Sequence, residues 1–270
     1  MNKLLIICGP TASCKTALAI ECAKLLNSEV ISADSMNVYK GLDVGTAKPT
    51  IEEMQGVKHH LIDVVAPSQT FTVGDYREIA MPIIKNLHEQ NKIPVICGGT
   101  GFYINSLIFD LSYGNSPINT LSRKKYMNIA SERGNQAVYN ILLQVDPESA
   151  NRLHPNDLKR VVRALEIYDS GIKKSDIIDE FKPIFDYKSY SFDFPREELY
   201  NRINLRVDKM IELGLVNEVE KLYTQGIDEN YQCMQGIGYK EIIPYLKGQS
   251  SLENVIEEIK QTQGIMQKGK

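Results

Sequence analysis

The stretch Leu4–Leu26, LLIICGPTASCKTALAIECAKLL, decides the fold. Leu4–Cys8 is a short apolar run ended by Gly9-Pro10, which reads as a buried strand. Lys15–Leu26 is rich in Ala and Leu and reads as a helix. Between them lies GPTASCKT, one residue away from the phosphate-loop template G-x-x-x-x-G-K-[ST]. Gly9, Lys15 and Thr16 match; Pro10, Thr11, Ala12 and Ser13 fill the free positions; Cys14 stands where the template has Gly. Strand, Gly-containing loop and helix in that order are the context this motif requires. Successive amides at a helix N-terminus form an anion site, and Lys15 adds positive charge. The hydroxyl of Thr16 suits a Mg²⁺ ion, directly or through water. A Gly-Pro turn before an ordinary helix is the plainer alternative.

Outward from this unit, strands and helices alternate. Glu29–Ala33 (EVISA), His60–Val65 (HLIDVV) and Ile93–Cys97 (IPVIC) read as further strands. A helix is expected from Asp75 to Gln90, with Asp75 as its N-cap. The pattern predicts an α/β fold: a parallel, doubly covered sheet of the P-loop NTPase-like kind. Ligands on such sheets sit at the carboxyl ends of the strands. The loop Gly9–Thr16, Asp34 and the turn Gly98–Gly101 all fall there.

After Phe109 the character changes. Residues 111–196 carry no convincing buried strand and are rich in Lys, Arg, Asn and Ser. HPNDLKRVVRALEIY is a helix that Asn156 or Asp157 can cap, with Leu158, Val161, Val162 and Leu165 on one face and Arg160 and Arg163 opposite. A second long helical stretch begins at Pro195 and breaks near Gly214. The expected organisation is a catalytic core of residues 1–110 and 197–270 with a mostly helical insertion, 111–196.

Composition excludes several classes. The chain has 270 residues, 43% hydrophobic and 24% charged, with a net charge of −3. That is ordinary for a soluble domain and does not suggest a general nucleic-acid binder. Neither a membrane-spanning run nor a signal-peptide core is present, so a cytoplasmic protein without membrane association is expected. Cys8, Cys14, Cys22, Cys97 and Cys233 form no C-x-x-C pair and read as reduced thiols.

Individual residues carry alternatives. Asp34, at a strand end facing the phosphate loop, suits a Mg²⁺ ligand or a general base, though taken alone a capping residue in a turn explains it better. GGTGFYINSL (Gly98–Leu107) places a hydroxyl, Thr100, in a Gly-rich turn that is either a ligand contact or a tight strand-to-helix connection. Lys159, Arg160 and Arg163 make a basic face; taken alone, a solvated face explains it.

Together these pieces resemble one family. GPTASCKTALAIECAKLLNSEVISADSMNVYKGLDVGTAKPT, HHLIDVV, GGTGFYINSL, HPNDLKRVVRALEIY, REELYNRINLRVDKMIELGLVNEV and MQGIGYKEIIPYL are similar to segments of the bacterial tRNA dimethylallyltransferases (isopentenyltransferases). The resemblance runs to about Lys260. It implies transfer of dimethylallyl from dimethylallyl diphosphate to N6 of the adenosine beside the anticodon of certain tRNAs, releasing pyrophosphate. It implies a kinase-like core with a helical insertion that grips the anticodon stem-loop, and a monomer. The phosphate loop would hold the donor's diphosphate with Mg²⁺ at Thr16. By the same resemblance Asp34 is the general base, Lys15 stabilises the departing pyrophosphate, and Thr100 orients a phosphate oxygen. The adenine is held at Asp34, Ser35, Met36 and Asn37, the last replacing the family's Gln. Lys159, Arg160, Val161, Val162 and Arg163 fall on the tRNA-contacting element, and Arg123 is a further tRNA contact.

Two other readings share the core: a prenyltransferase or kinase acting on a free adenine nucleotide, and a catalytically impaired tRNA-binding remnant. Cys14 and the tail motivate the second. Family members continue with a stretch like TRRYAKRQ, whereas Gln261–Lys270 reads QTQGIMQKGK. Plausible codons for that tail, shifted by one base, spell TRYYAKRQ, so a frame shift truncating the family pattern is expected; the gene's nucleotides test it.

Overall fold

The computed structural model describes residues 2–111, 119–177 and 181–266. Contacts divide the chain into two compact units: one of residues up to Ile108 and from Pro183 onward, the other Phe109–Lys182.

The first unit is built on a five-stranded parallel sheet. Its strands are β1 (Lys3–Cys8), β2 (Val30–Ser32), β3 (His59–His60), β4 (Val95–Gly98) and β5 (Asp186–Ser191), in the order β3-β2-β4-β1-β5. Helices α1 (Lys15–Leu25), α2 (Ile51–Met54) and α3 (Val73–Glu89) connect the first four strands, and α4 (Gly101–Ile108) follows β4. Ile7, Ala19, Ala23, Val30 and Val95 form one buried layer between α1 and the sheet, which is why the central strands read as plain apolar runs.

Three expectations shift. The third strand is only His59–His60, because Leu61 (φ 62°) and Asp63 (φ 57°) leave the extended region; the chain returns as a single bridge from Val65 to Tyr39. Helix α3 starts earlier. Thr72 is its N-cap, and Asp75 is the third helical residue of a capping box: Asp75 Oδ2 accepts from the Thr72 amide at 2.7 Å, and Thr72 Oγ1 accepts from the Asp75 amide at 3.2 Å. Most consequentially, residues 111–196 do contain a strand of the sheet. β5 (sequence DYKSYS) pairs in parallel with β1, Lys3 opposite Asp186 and Cys8 opposite Ser191. It is largely exposed, so it lacks the apolar pattern that marks a buried strand, and its pairing with β1 places it in the sheet. The chain thus returns to the first unit at Pro183, not at residue 197.

Later elements of this unit are α9 (Arg196–Glu212), α10 (Leu215–Thr224), α11 (Ile242–Leu246) and α12 (Leu252–Met266). Gly214, at φ 95°, makes the expected break between α9 and α10. The departing tail is helical through Gln261–Met266; residues 267–270 lie outside the described residues.

The second unit contains α5 (Thr120–Arg133), α6 (Asn135–Val145), α7 (Pro147–Asn151) and α8 (Leu158–Asp169). Tyr126, Val138, Leu142, Ala150, Val161, Val162 and Leu165 form its core. Asp157, not Asn156, caps α8, its Oδ1 accepting from the Arg160 amide at 3.4 Å.

Candidate active site

The phosphate loop connects β1 to α1. Gly9 sits at φ 142°, and two non-glycine residues, Ala12 and Cys14, hold φ near +60°. Cys14 is the N-cap of α1 at φ 61°, ψ 19°, and makes no side-chain cap hydrogen bond; no acidic residue lies in the first turn. The amides at the start of α1 therefore lack the usual side-chain acceptor, the condition for an anion site. Ser13 is buried and donates to the Pro10 carbonyl at 2.9 Å, and Lys15 Nζ donates to the same oxygen at 3.1 Å. Lys15 is thereby folded back across the loop.

Next to it, the ends of β2 and β4 are stitched together. The Thr100 amide donates to the Ala33 carbonyl at 3.1 Å, and Thr100 Oγ1 accepts from the Ser35 amide at 3.0 Å. A Cβ on Gly98 would stand 2.2 Å from the Ala33 oxygen, so only glycine lets these strand ends approach. Asp34 Oδ1 accepts from the amides of Met36 (2.9 Å) and Asn37 (3.4 Å), which makes Asp34 the first residue of a tight turn and leaves Oδ2 outside those bonds. Asp34 thus caps a turn and also lines a cavity.

That cavity, about 770 Å³, is lined by Thr11, Lys15, Thr16, Asp34, Ser35, Met36, Asn37 and Thr100. A residue missed in the sequence also lines it: Arg206, on α9. Its Nη2 donates to the Thr46 carbonyl at 3.4 Å, and its Nε is buried without a hydrogen-bond partner. Burial pushes its pKa down, and the Asp34 carboxylate opposes that shift. Nothing in the local sequence singled it out, because Arg206 is one of several charges on an amphipathic helix; only its burial distinguishes it. Of the loop residues, Gly9, Pro10, Ala12, Ser13 and Cys14 do not line the cavity. Cys14 is exposed on the loop's outer side, with Arg202 Nη1 3.8 Å from its sulfur.

The remaining expected residues lie in the second unit. Val161 and Val162 are 0% and 2% exposed and belong to its core, so their side chains are unavailable to RNA. Arg160 is well exposed and pairs with Asp157 at 3.3 Å. Arg123 and Arg163 are not simply a solvated basic face. Both reach the carboxylate of Glu166, which is fully buried: Arg123 Nε stands 2.9 Å from Oε1, and Arg163 Nη1 stands 3.3 Å from Oε2.

A model of the IPP transferase family matches residues 37–265. The chain belongs to the IPP transferase family. It is 46% identical over 264 residues to a tRNA dimethylallyltransferase of Acetivibrio thermocellus, and 48% identical over 262 residues to one of Alkaliphilus oremlandii. Each alignment covers 96% of this chain and 84% of the relative. Among solved structures, a tRNA isopentenylpyrophosphate transferase from Staphylococcus epidermidis superposes with a TM-score of 0.72 at 40% identity, over 99% of this chain and 88% of that one. A eukaryotic dimethylallyltransferase described as acting on tRNA gives 0.83 at 32% identity, over 99% and 68%. No helix among the described residues is long and apolar enough to cross a membrane.

Proposed function

We propose that the chain transfers a dimethylallyl group from dimethylallyl diphosphate to N6 of the adenosine next to the tRNA anticodon, releasing pyrophosphate. The observation that carries this reading is the composition of one cavity. Lys15, Arg206 and the open amides of α1 supply positive charge and donors for a diphosphate, while Asp34 supplies an acceptor beside them. The kinship with enzymes named for that reaction supports it.

The adenine amine is a weak nucleophile. Asp34 Oδ2 accepts its proton as the N6–C bond to the allylic carbon forms and the C–O bond to diphosphate breaks. Lys15 and Arg206 stabilise the charge that collects on pyrophosphate, in a site where the guanidinium is half-buried and its attraction less screened. Thr100 braces Ser35, and so the turn that carries Asp34. The adenine must leave its stack to enter, at a cost of a few kcal/mol. The exposed face of α8 around Lys159 and Arg160 binds the stem-loop backbone.

Mg²⁺ fits this site as a shared ion. Among the described residues no group of three or more His, Cys, Asp or Glu is placed to hold a metal. The Thr16 hydroxyl would hold the ion, with donor oxygens and water completing the sparse oxygen set that Mg²⁺ accepts. When bound, the ion would neutralise charge on the leaving diphosphate.

The test is a pyrophosphate-release assay with dimethylallyl diphosphate, Mg²⁺ and an anticodon stem-loop bearing the target adenosine. AMP in place of the stem-loop should give no release. Release with AMP and none with RNA would overturn the reading in favour of a small-molecule enzyme.

A further inference from the structure

The segment GLDVGTAKP, Gly41–Pro49, belongs to the family-like sequence yet has no part in the chemistry above. Gly45, Thr46, Ala47 and Pro49 line the cavity, and no helix or strand holds them there. Lys48 ties the segment's far end to the Tyr39 carbonyl, Asp43 and Asp63, and one carboxylate gathers its middle. On α10, Glu218 Oε2 accepts from the amides of Asp43 and Val44, both at 2.8 Å; its Oε1 accepts from the Gly45 amide at 3.1 Å and from the Tyr239 hydroxyl at 2.6 Å. Four donors converge on one charge, which nearly fills its acceptor capacity. A Cβ on Gly45 would stand 2.6 Å from the Tyr239 ring, so the ring lies directly on the backbone that Glu218 gathers. Burial and the Glu218 charge both push the Tyr239 phenol pKa upward, which keeps it a donor.

The next residue completes a chain of contacts. Thr46 Oγ1 closes the turn onto the Leu42 carbonyl at 2.6 Å, and the Thr46 carbonyl is the acceptor for Arg206 Nη2. Glu218 does not itself line the cavity, but it bonds Gly45 and Tyr239, which do, and it sets the backbone that meets the half-buried guanidinium.

We propose that Glu218 is a positioning residue for donor binding: by gathering the amides of residues 43–45 it aims Arg206 at the diphosphate of the prenyl donor. This rests on reading the cavity as a diphosphate site. The alternative is a clamp that only stabilises the fold.

The experiment measures binding of inorganic pyrophosphate with Mg²⁺ to the full chain by calorimetry, for the wild type, Glu218→Gln, Tyr239→Phe, Arg206→Ala and the two double variants with Arg206→Ala. Melting temperature and stem-loop affinity are measured alongside. Glu218→Gln is expected to weaken pyrophosphate binding about ten-fold and Tyr239→Phe about two- to three-fold, with stem-loop affinity within about two-fold. In the Arg206→Ala background each should add less than about half of its single effect, since the two act through one guanidinium. Equal losses in both backgrounds, or a lowered melting temperature with pyrophosphate affinity intact, would overturn the proposal. If Glu218→Gln does not fold, the Tyr239→Phe cycle decides by the same criterion. A wild type that fails to bind pyrophosphate refutes the diphosphate reading and this proposal with it. One that binds it, shows the coupling and yet transfers no prenyl group refutes the reaction but upholds the role of Glu218.

Discussion

Cys14 occupies the one loop position where the template has glycine, and it does so in the left-handed conformation that a side chain disfavours by roughly 1–2 kcal/mol. Restoring glycine should relieve that strain. Cys14→Gly is expected to tighten diphosphate binding and raise turnover, by about ten-fold if the strain costs about 1.4 kcal/mol. Equal donor affinity and rate in the two proteins would show that this loop tolerates the thiol. The same position predicts a labelling order. Burial pushes Cys97 and Cys233 up to about 11, so both stay protonated near neutral pH, whereas Cys14 is exposed. An alkylating reagent should modify Cys14 well before those two; mass-mapped labelling in which Cys97 leads would contradict it. Asp34→Asn offers the cleanest chemical test, because its amide oxygen can still accept from the Met36 and Asn37 amides that hold the turn. Turnover should fall about 10²-fold or more with pyrophosphate affinity little changed, the range for losing a general base. An undiminished rate would remove Asp34 from that role.

At the level of the element, α8 separates its charges: Arg160 is exposed and Glu166 is buried. Arg160 is itself well exposed and its side chain pairs with the half-exposed Asp157, and Arg160→Ala should therefore spare stability while reducing the salt dependence of stem-loop binding by about one unit of slope. Salt titrations that overlay would assign it no phosphate contact. Arg123 differs, since its removal strips a partner from the fully buried Glu166. Arg123→Ala should destabilise the second unit by about 1–3 kcal/mol, read in denaturant melts. A loss of RNA binding without a loss of stability would reverse that assignment. The sequence pattern displayed this helix, its cap and its buried stripe, because amphipathic periodicity is a local property. It did not display Glu166, a charge on the buried side whose role exists only once Arg123, from another helix, arrives beside it.

For the whole molecule, a ligand bound by strand ends, a loop and α9 together should stabilise the unit they share. Mg²⁺-pyrophosphate at a hundred times its dissociation constant should raise stability by about 2.7 kcal/mol, and Arg206→Ala should remove much of the gain at the same concentration. An unmoved calorimetric transition at saturating ligand would sink the composite site. Much of that site was legible beforehand, and for a definite reason. Leu4–Leu26, EVISAD and IPVICGGTG each place apolar runs before Gly or Asp, and in a parallel sheet every such boundary falls on one edge. The α/β class, the phosphate loop and the convergence of Lys15, Asp34 and Thr100 thus follow from local pattern plus the geometry of parallel strands. What only the tertiary structure decided are the contacts whose partners lie far apart in the chain. The polar strand β5 exists because β1 offers its edge, Arg206 matters because the fold buries it beside Asp34, and Glu218 matters because three amides some 175 residues earlier turn toward it. Periodicity reports which face of an element is covered; it carries no information about which distant backbone group will meet a given charge.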